Sequence, residues 1–238
     1  MSDVLLLHAG IADHRMWEPQ VEALEAAGHR ALAPDLPGFG DVPLEPGTIA
    51  YVDFAASLLE RPATVVGCSF GGRIAIELAA SRPDLVERLV LIGAGLGSWD
   101  WSESAQAGFG EEEEAIERGD LTAAAAQQAR MWLADDAAAD VRELTEAMVI
   151  RSYEQQLPVE GQVKAVWPEV PGETRLAEIG APTLVVVGTE DVDDITAIAE
   201  KLAAEIPGSR LATIEGAGHL PSLERPDELN RLLLEFLR

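Results

Sequence analysis

The fold is decided by the stretch Ala63-Thr-Val-Val-Gly-Cys-Ser-Phe-Gly-Gly-Arg-Ile-Ala-Ile-Glu77, in which a β-branched run leads directly into an amphipathic helical pattern. Gly67 and Gly71 flank Ser69 in a G-x-S-x-G pattern, and this strand-to-helix context is typical of a nucleophile elbow. The glycines remove side chains where the chain turns sharply, so Ser69 can be held in a strained turn with its hydroxyl exposed above the sheet. A serine placed in this way is poised to attack a carbonyl group. The five-residue pattern is common by chance, and the flanking strand and helix carry the prediction.

The composition predicts one globular domain outside the membrane. The chain has 238 residues, of which 47% are hydrophobic and 25% charged, which is ordinary for a soluble protein with a single core. No apolar run approaches the roughly 18 residues that a membrane span needs. Because the first residues lack a basic region and a small-residue cleavage site, we expect no secretory signal and a cytoplasmic location.

The net charge and the cysteine content restrict the classes of partner and of site that this chain can have. A net charge of −25 repels phosphate backbones and anionic lipids, so nucleic acid and membrane surfaces are not expected partners. Cys68 is the only cysteine, which excludes an internal disulfide and a multi-cysteine metal site. We expect a small-molecule substrate, no cofactor and no metal, and we leave open whether the chain forms a homo-oligomer.

Short apolar runs alternate with helical patterns. The runs, each bounded by Gly or Pro, lie at residues 4–8, 30–34, 63–67, 88–93, 183–188 and 210–215. The helical patterns lie at residues 17–27, 49–60, 71–81 and 194–205, with a last helix from Pro226. Alternating β and α elements predict an α/β fold with a doubly wound, mostly parallel sheet. In such sheets sites form at the carboxyl ends of the strands, where Gly10, Ser69, Asp191 and His219 all fall.

Residues 96–176 interrupt this alternation with acidic, alanine-rich helical patterns and no convincing strand. We therefore predict a helical cap over residues 96–176, inserted in a core of residues 1–95 and 177–238. The cap holds four of the five tryptophans: Trp99, Trp101, Trp132 and Trp167. We expect some of them to line an apolar substrate pocket, while each could instead only pack the cap on the core.

A serine nucleophile needs a general base, and the base needs a carboxylate that orients it. His219 follows the last predicted strand in a glycine-rich loop and is the expected base. His29, at the end of a helix, and His14, in a polar loop, are predicted to be solvated. His8 is expected to brace its loop by hydrogen bonds rather than to react.

The expected acid is Asp191, in the loop after a buried strand. Glu190, Asp193 and Asp194 crowd the same loop, and we expect Asp194 to cap the next helix. Asp100 is a minor alternative. The tetrahedral intermediate also needs backbone donors, for which we expect the amides of Phe70, directly after Ser69, and of Gly10, in the loop after the first strand.

The motifs resemble those of α/β-hydrolase fold serine hydrolases, the large group that includes 3-oxoadipate enol-lactonases and small esterases. The matching segments cover most of the chain: His8-Ala-Gly10 followed by Trp17, Asp35-Leu-Pro-Gly-Phe-Gly40, Gly67-Cys-Ser-Phe-Gly-Gly72, Ala181-Pro-Thr-Leu-Val-Val-Val-Gly-Thr-Glu-Asp191 and Gly216-Ala-Gly-His219. The resemblance implies Ser69 as nucleophile, Asp191 as acid and His219 as base, in that family's chain order. It also implies that Asp35 stabilises a turn.

Two departures from the family stand out. The chain opens on the strand that is usually third, so we expect the sheet to lack the first two strands. Ala9 stands where the family often has a glycine beside the oxyanion position.

The expected function is hydrolysis of a small carboxylic ester or lactone through an acyl-serine intermediate. Thioesterase and carbon–carbon hydrolase activities use the same triad and stay open. A ligand-binding receptor with a vestigial site is the alternative from another class. A dinucleotide-binding oxidoreductase, suggested by Gly93-Ala-Gly-Leu-Gly97 after a strand, is disfavoured because the third glycine comes one residue early and no helix follows.

Overall fold

The core is a parallel sheet of six strands within residues 2–238, the part of the chain that the structure, a computed structural model, describes. In chain order the strands of the molecule are β1 (Asp3–Leu7), β2 (Arg30–Leu32), β3 (Gly47–Ile49), β4 (Ala63–Cys68), β5 (Val86–Ile92), β6 (Val163–Ala165), β7 (Thr183–Gly188) and β8 (Arg210–Ile214). The sheet order is β2-β1-β4-β5-β7-β8, and every neighbouring pair is parallel. The six predicted strands and the doubly wound, parallel sheet are confirmed.

Nine α-helices occur in residues 2–238. They are α1 (Glu18–Ala26), α2 (Tyr51–Ser57), α3 (Phe70–Ser81), α4 (Glu103–Glu117), α5 (Leu121–Trp132), α6 (Ala139–Gln156), α7 (Asp193–Glu205), α8 (Pro221–Glu224) and α9 (Pro226–Phe236). The predicted helices are all present. α2 begins later than its pattern because Ile49 belongs to β3, and it already ends at Ser57. Within the same residues no helix is long and apolar enough to cross a membrane.

The central strands of the sheet are buried on both faces, which explains their continuous apolar sequences. Every residue of β4 and of β7 is buried. Since successive side chains of a strand point to opposite faces, they separate into two cores. Val65 packs in the core that includes Ile74 of α3 and Ile198 of α7, whereas Val66 packs in the core with Leu24 of α1.

The strand order reverses between β1 and β4. From β1 the chain continues to β2 on one side, and then crosses back to β4 on the other side. Such a switch point leaves a crevice at the carboxyl ends of the two strands, where open α/β sheets bind ligands. The loop with Gly10 leaves β1 at this edge, and Ser69 follows β4 at the same edge.

The segment between β5 and β7 is largely helical, with α4, α5 and α6, but it also contains a strand. β6 pairs in parallel with β3 to form a separate two-stranded sheet. The expectation that residues 96–176 hold no strand is therefore wrong. β6 has only three residues, with one partly buried and two exposed, so its sequence lacks the apolar run or the alternation that would predict it.

Asp194 ties this inserted segment to the core. Its carboxylate accepts hydrogen bonds from Trp99 Nε1 at 3.0 Å, from the Ser102 amide at 3.0 Å and from Ser102 Oγ at 2.6 Å. It lies in the first turn of α7, whose N-cap is Val192, so the expected capping role is wrong. Burial would raise the pKa of Asp194, but the hydrogen bonds from Ser102 and Trp99 outweigh it and hold the pKa below its usual value.

Replacing Asp194 with asparagine is expected to lower the free energy of unfolding by about 1–2 kcal/mol, because charge-assisted hydrogen bonds are lost. The control is Asp193→Asn, which removes the same charge from an exposed neighbour. The folded pKa is depressed, so the stabilisation is present above the unfolded pKa of about 3.9 and is lost as the pH falls through the folded pKa. Urea titrations of both variants at pH 7 and pH 3 measure this. Equal losses at pH 7 would contradict the role of Asp194.

Candidate active site

Ser69 lies in a strained turn between β4 and α3. It has φ 51° and ψ −111°, and among residues 2–238 it is the only non-glycine residue with a positive φ. Holding a residue with a Cβ atom in such a conformation costs on the order of 1–3 kcal/mol. The turn is held by the Ser69 amide, which donates to the Ile92 carbonyl at 3.0 Å, and by the Ser69 carbonyl, which accepts from Gly95 at 3.1 Å.

The glycines of the elbow allow close backbone packing. A Cβ atom on Gly71 would lie 2.2 Å from the Leu7 carbonyl oxygen, and one on Gly67 would lie 2.3 Å from the Gly71 carbonyl oxygen. The Gly71 amide donates to the His8 carbonyl at 3.1 Å. Without side chains here, the start of α3 can press against the end of β1, which fixes Ser69 beside the loop that carries Gly10.

His219 and Asp191 form a buried hydrogen-bonded pair. Nδ1 of His219 lies 2.7 Å from Oδ2 of Asp191, and both side chains are 1% exposed. With a carboxylate at Nδ1, the proton of a neutral imidazole belongs on that nitrogen, which leaves Nε2 as an acceptor. Nε2 is buried and has no hydrogen-bond partner within residues 2–238. Nε2 is therefore free to accept a proton from a hydroxyl group that approaches it.

The competing carboxylates lie elsewhere. Glu190, Asp193 and Asp100 are exposed, and Asp194 is bound to Ser102. Within the part of the chain that the structure describes, Asp191 is the carboxylate hydrogen-bonded to His219.

Gly93 brings the end of β5 against this pair. A Cβ atom on Gly93 would lie 3.1 Å from His219 Nδ1 and 3.2 Å from Asp191 Oδ2, and the residue has φ 49°. Because its neighbour Ile92 accepts the Ser69 amide, the same strand end contacts all three candidate triad residues. No local sequence pattern predicts this position of Gly93 beside the pair, because such a pattern does not report which side chains approach from the loops after β7 and β8.

The two residues that are expected to supply the oxyanion donors, Gly10 and Phe70, are neighbours in space. A Cβ atom on Gly10 would lie 3.6 Å from the Cβ atom of Phe70. Neither amide has a hydrogen-bond acceptor within residues 2–238. Phe70 begins α3, and the first amides of a helix have no partner inside the helix. Both amides can therefore donate to a bound oxygen atom.

His8 and Asp35 hold the loop after β1 in shape. His8 is fully buried; its Nε2 accepts from the Leu36 amide at 2.9 Å, and its Nδ1 lies 2.8 Å from the Ala9 carbonyl. Burial lowers the pKa of His8, which keeps the ring neutral. Asp35 accepts from the amides of His14 and Asp41, each at 2.8 Å. The expected bracing role of His8 and turn role of Asp35 agree with these contacts.

The four tryptophans of the inserted segment have different surroundings. Trp132 stacks on the His219 ring with centroids 4.4 Å apart, and Trp101 packs edge-on against Trp132 at 6.3 Å. Trp99 donates to Asp194. Trp167 packs edge-on against Phe70, the residue after Ser69, with ring centroids 6.1 Å apart.

Arg73 lies next to Trp167 and was not singled out by sequence. It is one turn after Ser69 on α3, and its guanidinium carbon lies 3.7 Å above the Trp167 ring. This contact helps to hold residue 167 of the inserted segment over the start of α3.

Cys68 does not compete with Ser69 as a nucleophile. Its side chain is fully buried, and its sulfur donates to the His219 carbonyl at 3.6 Å. Burial, together with the charges of Asp191 and Glu224, raises the pKa of Cys68 well above its usual value. The thiol is therefore protonated at neutral pH, whereas a thiolate is the reactive form.

One group of side chains has the spacing of a metal site. Ligand atoms of Asp13, His14 and Asp35 lie within 4.8 Å of one another. Asp13, however, is paired with Arg15 at 2.7 Å, and Asp35 already accepts two backbone amides and lies 2.8 Å from His14 Nδ1. These contacts account for the geometry of the group without an ion.

Known proteins share this architecture. Residues 4–232 match the model of the alpha/beta hydrolase family. A pimeloyl-[acyl-carrier protein] methyl ester esterase of Aromatoleum aromaticum is 29% identical over 99% of this chain and 98% of its own length. Among solved structures, a thermophilic esterase of Thermogutta terrifontis (24% identity, TM-score 0.78, 100% of this chain and 90% of that chain) has the same fold. So does the enol-lactonase of Burkholderia xenovorans (23% identity, TM-score 0.76, 99% of this chain and 91% of that chain). The chain therefore belongs to the alpha/beta hydrolase family and is an enzyme of the hydrolase class.

Proposed function

We propose that this enzyme hydrolyses a small carboxylic ester or lactone through an acyl-serine intermediate, with Ser69 as nucleophile, His219 as base and Asp191 as the orienting acid. The observation that carries the proposal is the buried His219–Asp191 pair, whose Nε2 is left without a partner at the strand edge where Ser69 is held in a strained turn. Nucleophile, base and orienting carboxylate are the parts that acyl transfer to a serine requires.

The chemistry proceeds in two halves. Ser69 Oγ attacks the ester carbonyl while its proton moves to Nε2 of His219, and Asp191 stabilises the imidazolium that forms. The amides of Gly10 and Phe70 donate to the oxyanion of the tetrahedral intermediate. As this collapses, the proton passes from His219 to the leaving alkoxide, and the alcohol departs. Water, deprotonated by His219, then attacks the acyl-serine. The bond to Ser69 Oγ breaks, the proton passes from His219 to Ser69, and the acid is released.

The inserted segment is proposed to act as a cap over this site, with residues 96–176 as cap and residues 1–95 and 177–238 as core. Support comes from the rings that it places beside the candidate triad: Trp132 on His219 and Trp167 on Phe70. We propose that Trp99, Trp101, Trp132 and Trp167 contribute to an apolar substrate pocket. In two of them a second role is already visible, because Trp132 covers the base and Trp99 binds Asp194.

The similar esterase of Aromatoleum aromaticum is named for a methyl ester substrate. A small leaving alcohol is consistent with an elbow that is covered by aromatic rings, so we include methyl esters among the proposed substrates. Lactones are included because the same attack opens a cyclic ester without a change in the machinery.

The proposed function is tested by incubating the protein with a fluorophosphonate and mapping the label, together with a substrate panel. The panel holds p-nitrophenyl and methyl esters of increasing acyl length, lactones, acyl thioesters and a vinylogous 1,5-diketone. We expect stoichiometric labelling of Ser69 and highest kcat/KM on an ester or lactone. Turnover that is confined to thioesters or to the carbon–carbon substrate would change the assigned reaction and leave the assigned triad unchanged. Tight, reversible binding of panel compounds without labelling or turnover would instead support a receptor.

A further inference from the structure

Glu224 is a buried carboxylate outside the proposed triad. It ends α8, and its two oxygens accept three backbone hydrogen bonds. Oε2 accepts from Ala134 at 2.8 Å and from Gly218 at 3.0 Å, and Oε1 accepts from Leu220 at 3.0 Å. The guanidinium of the adjacent Arg225 donates to the backbone carbonyl of Glu224 at 2.8 Å and to Asp136 at 3.3 Å, so it does not bind the Glu224 carboxylate. The charge of Glu224 is therefore held by backbone amides.

Two of these amides flank the candidate base. Gly218 and Leu220 are the residues on either side of His219, so the carboxylate grips the loop on both sides of the imidazole. A Cβ atom on Gly218 would lie 2.6 Å from the Ala134 amide nitrogen, which shows how closely this loop approaches the end of α5. The hydrogen bonds to Glu224 therefore fix the backbone on both sides of the imidazole ring.

The third amide links the base to the inserted segment. Ala134 comes two residues after Trp132, whose carbonyl accepts the His219 amide at 2.7 Å and whose indole stacks on the imidazole. One carboxylate therefore binds both the loop that carries His219 and the chain that covers it.

Neutral side chains cannot replace this carboxylate without loss. A buried charge is tolerated here only because three N–H groups point at it, and each of those donors would be costly to leave unpaired. Glutamine keeps the size of glutamate, but its NH₂ group would face an N–H donor on at least one side. The loop must then shift to recover its hydrogen bonds.

We propose that Glu224 is a positioning residue for the reaction: it sets the location of His219 and couples that location to the docking of α5. This inference rests on the proposed function, in which His219 is the base. A shift of the base by a fraction of an ångström lowers the rate of proton transfer while leaving the substrate contacts in place.

The test compares Glu224→Gln with two controls. Asp227→Asn removes the same charge from an exposed position in the first turn of α9, and Leu24→Ala removes buried volume from α1. We expect Glu224→Gln to lower kcat for a p-nitrophenyl ester by about tenfold or more with KM within about twofold, and to slow fluorophosphonate labelling by a similar factor. Both controls are expected to keep kcat within about twofold at a temperature where every variant is folded.

A second readout does not depend on turnover. Amide hydrogen exchange at Ala134, Gly218 and Leu220 is expected to accelerate about tenfold or more in Glu224→Gln and to stay unchanged in Asp227→Asn. Unchanged exchange, an unchanged kcat, or a loss of kcat that Leu24→Ala reproduces would overturn the positioning role. A wild-type protein without Ser69-dependent turnover would instead overturn the proposed function, while the exchange measurement would still decide what Glu224 holds.

Discussion

Replacing Ser69 with alanine is expected to lower kcat for the best ester of the panel by about 10⁴-fold or more and to abolish fluorophosphonate labelling. The reason is chemical: alanine cannot form the acyl intermediate, and the His219–Asp191 pair then has no hydroxyl to activate. The remaining activity would come from the oxyanion donors and from binding. Single-turnover and steady-state assays on purified protein measure both effects.

The fold should survive this change. Serine and alanine both carry a Cβ atom, so the strain at φ 51° is present in either protein. Ser57→Ala is the matched control, because Ser57 is exposed at the end of α2 and its hydroxyl donates only to the Phe54 carbonyl, at 2.7 Å. We expect the control to keep full turnover and labelling. Persistent labelling in Ser69→Ala would show that another residue is the nucleophile.

Replacing Gly93 with alanine is expected to lower kcat by about 10- to 100-fold, through a residue that takes no part in the chemistry. The added Cβ atom would lie 3.1 Å from His219 Nδ1 and 3.2 Å from Asp191 Oδ2, so one partner must move by a few tenths of an ångström. Their 2.7 Å hydrogen bond lies at the point of contact. Steady-state kinetics on the same ester, with kcat and KM determined separately, measure the result.

The control for this substitution is Gly28→Ala. Gly28 also has a positive φ, 84°, but nothing lies within 4 Å of its would-be Cβ atom. Both substitutions force an L-residue into a left-handed conformation, which costs about 1–2 kcal/mol of stability. Both variants are expected to lose this stability, and only Gly93→Ala is expected to lose activity as well. If both variants retain wild-type kcat when folded, the proposed crowding of the His219–Asp191 pair is wrong.

Most of the sheet could be predicted from the sequence because its strands are continuous apolar runs. A strand that is buried on both faces carries its signal within its own few residues, as in Thr183–Gly188, where every residue is buried. Short, exposed β6 carried no such signal and was missed. Its existence depends on pairing with β3, more than a hundred residues earlier in the chain.

The candidate triad followed from position in the same way. Ser69, Asp191 and His219 each lie in the loop or turn that follows a recognisable strand, and parallel strands bring their carboxyl ends to one edge of the sheet. That rule placed three side chains near one another without any knowledge of their contacts. It left Asp191 in competition with the neighbouring acids, and the choice needed the 2.7 Å contact with His219.

The sequence by itself determined the parallel sheet, the strained elbow and the order of the candidate triad, because these depend on local periodicity and on residues next to strand ends. Only the tertiary structure decided the parts that hold the triad in place. Glu224 binds an amide 90 residues away, and Asp194 binds Ser102 at a separation of 92 residues. Gly93 lies against side chains from the loops that follow two other strands. Such contacts are made by residues whose local sequence is ordinary, since hydrogen bonding and close packing depend on distance in space and leave no pattern along the chain.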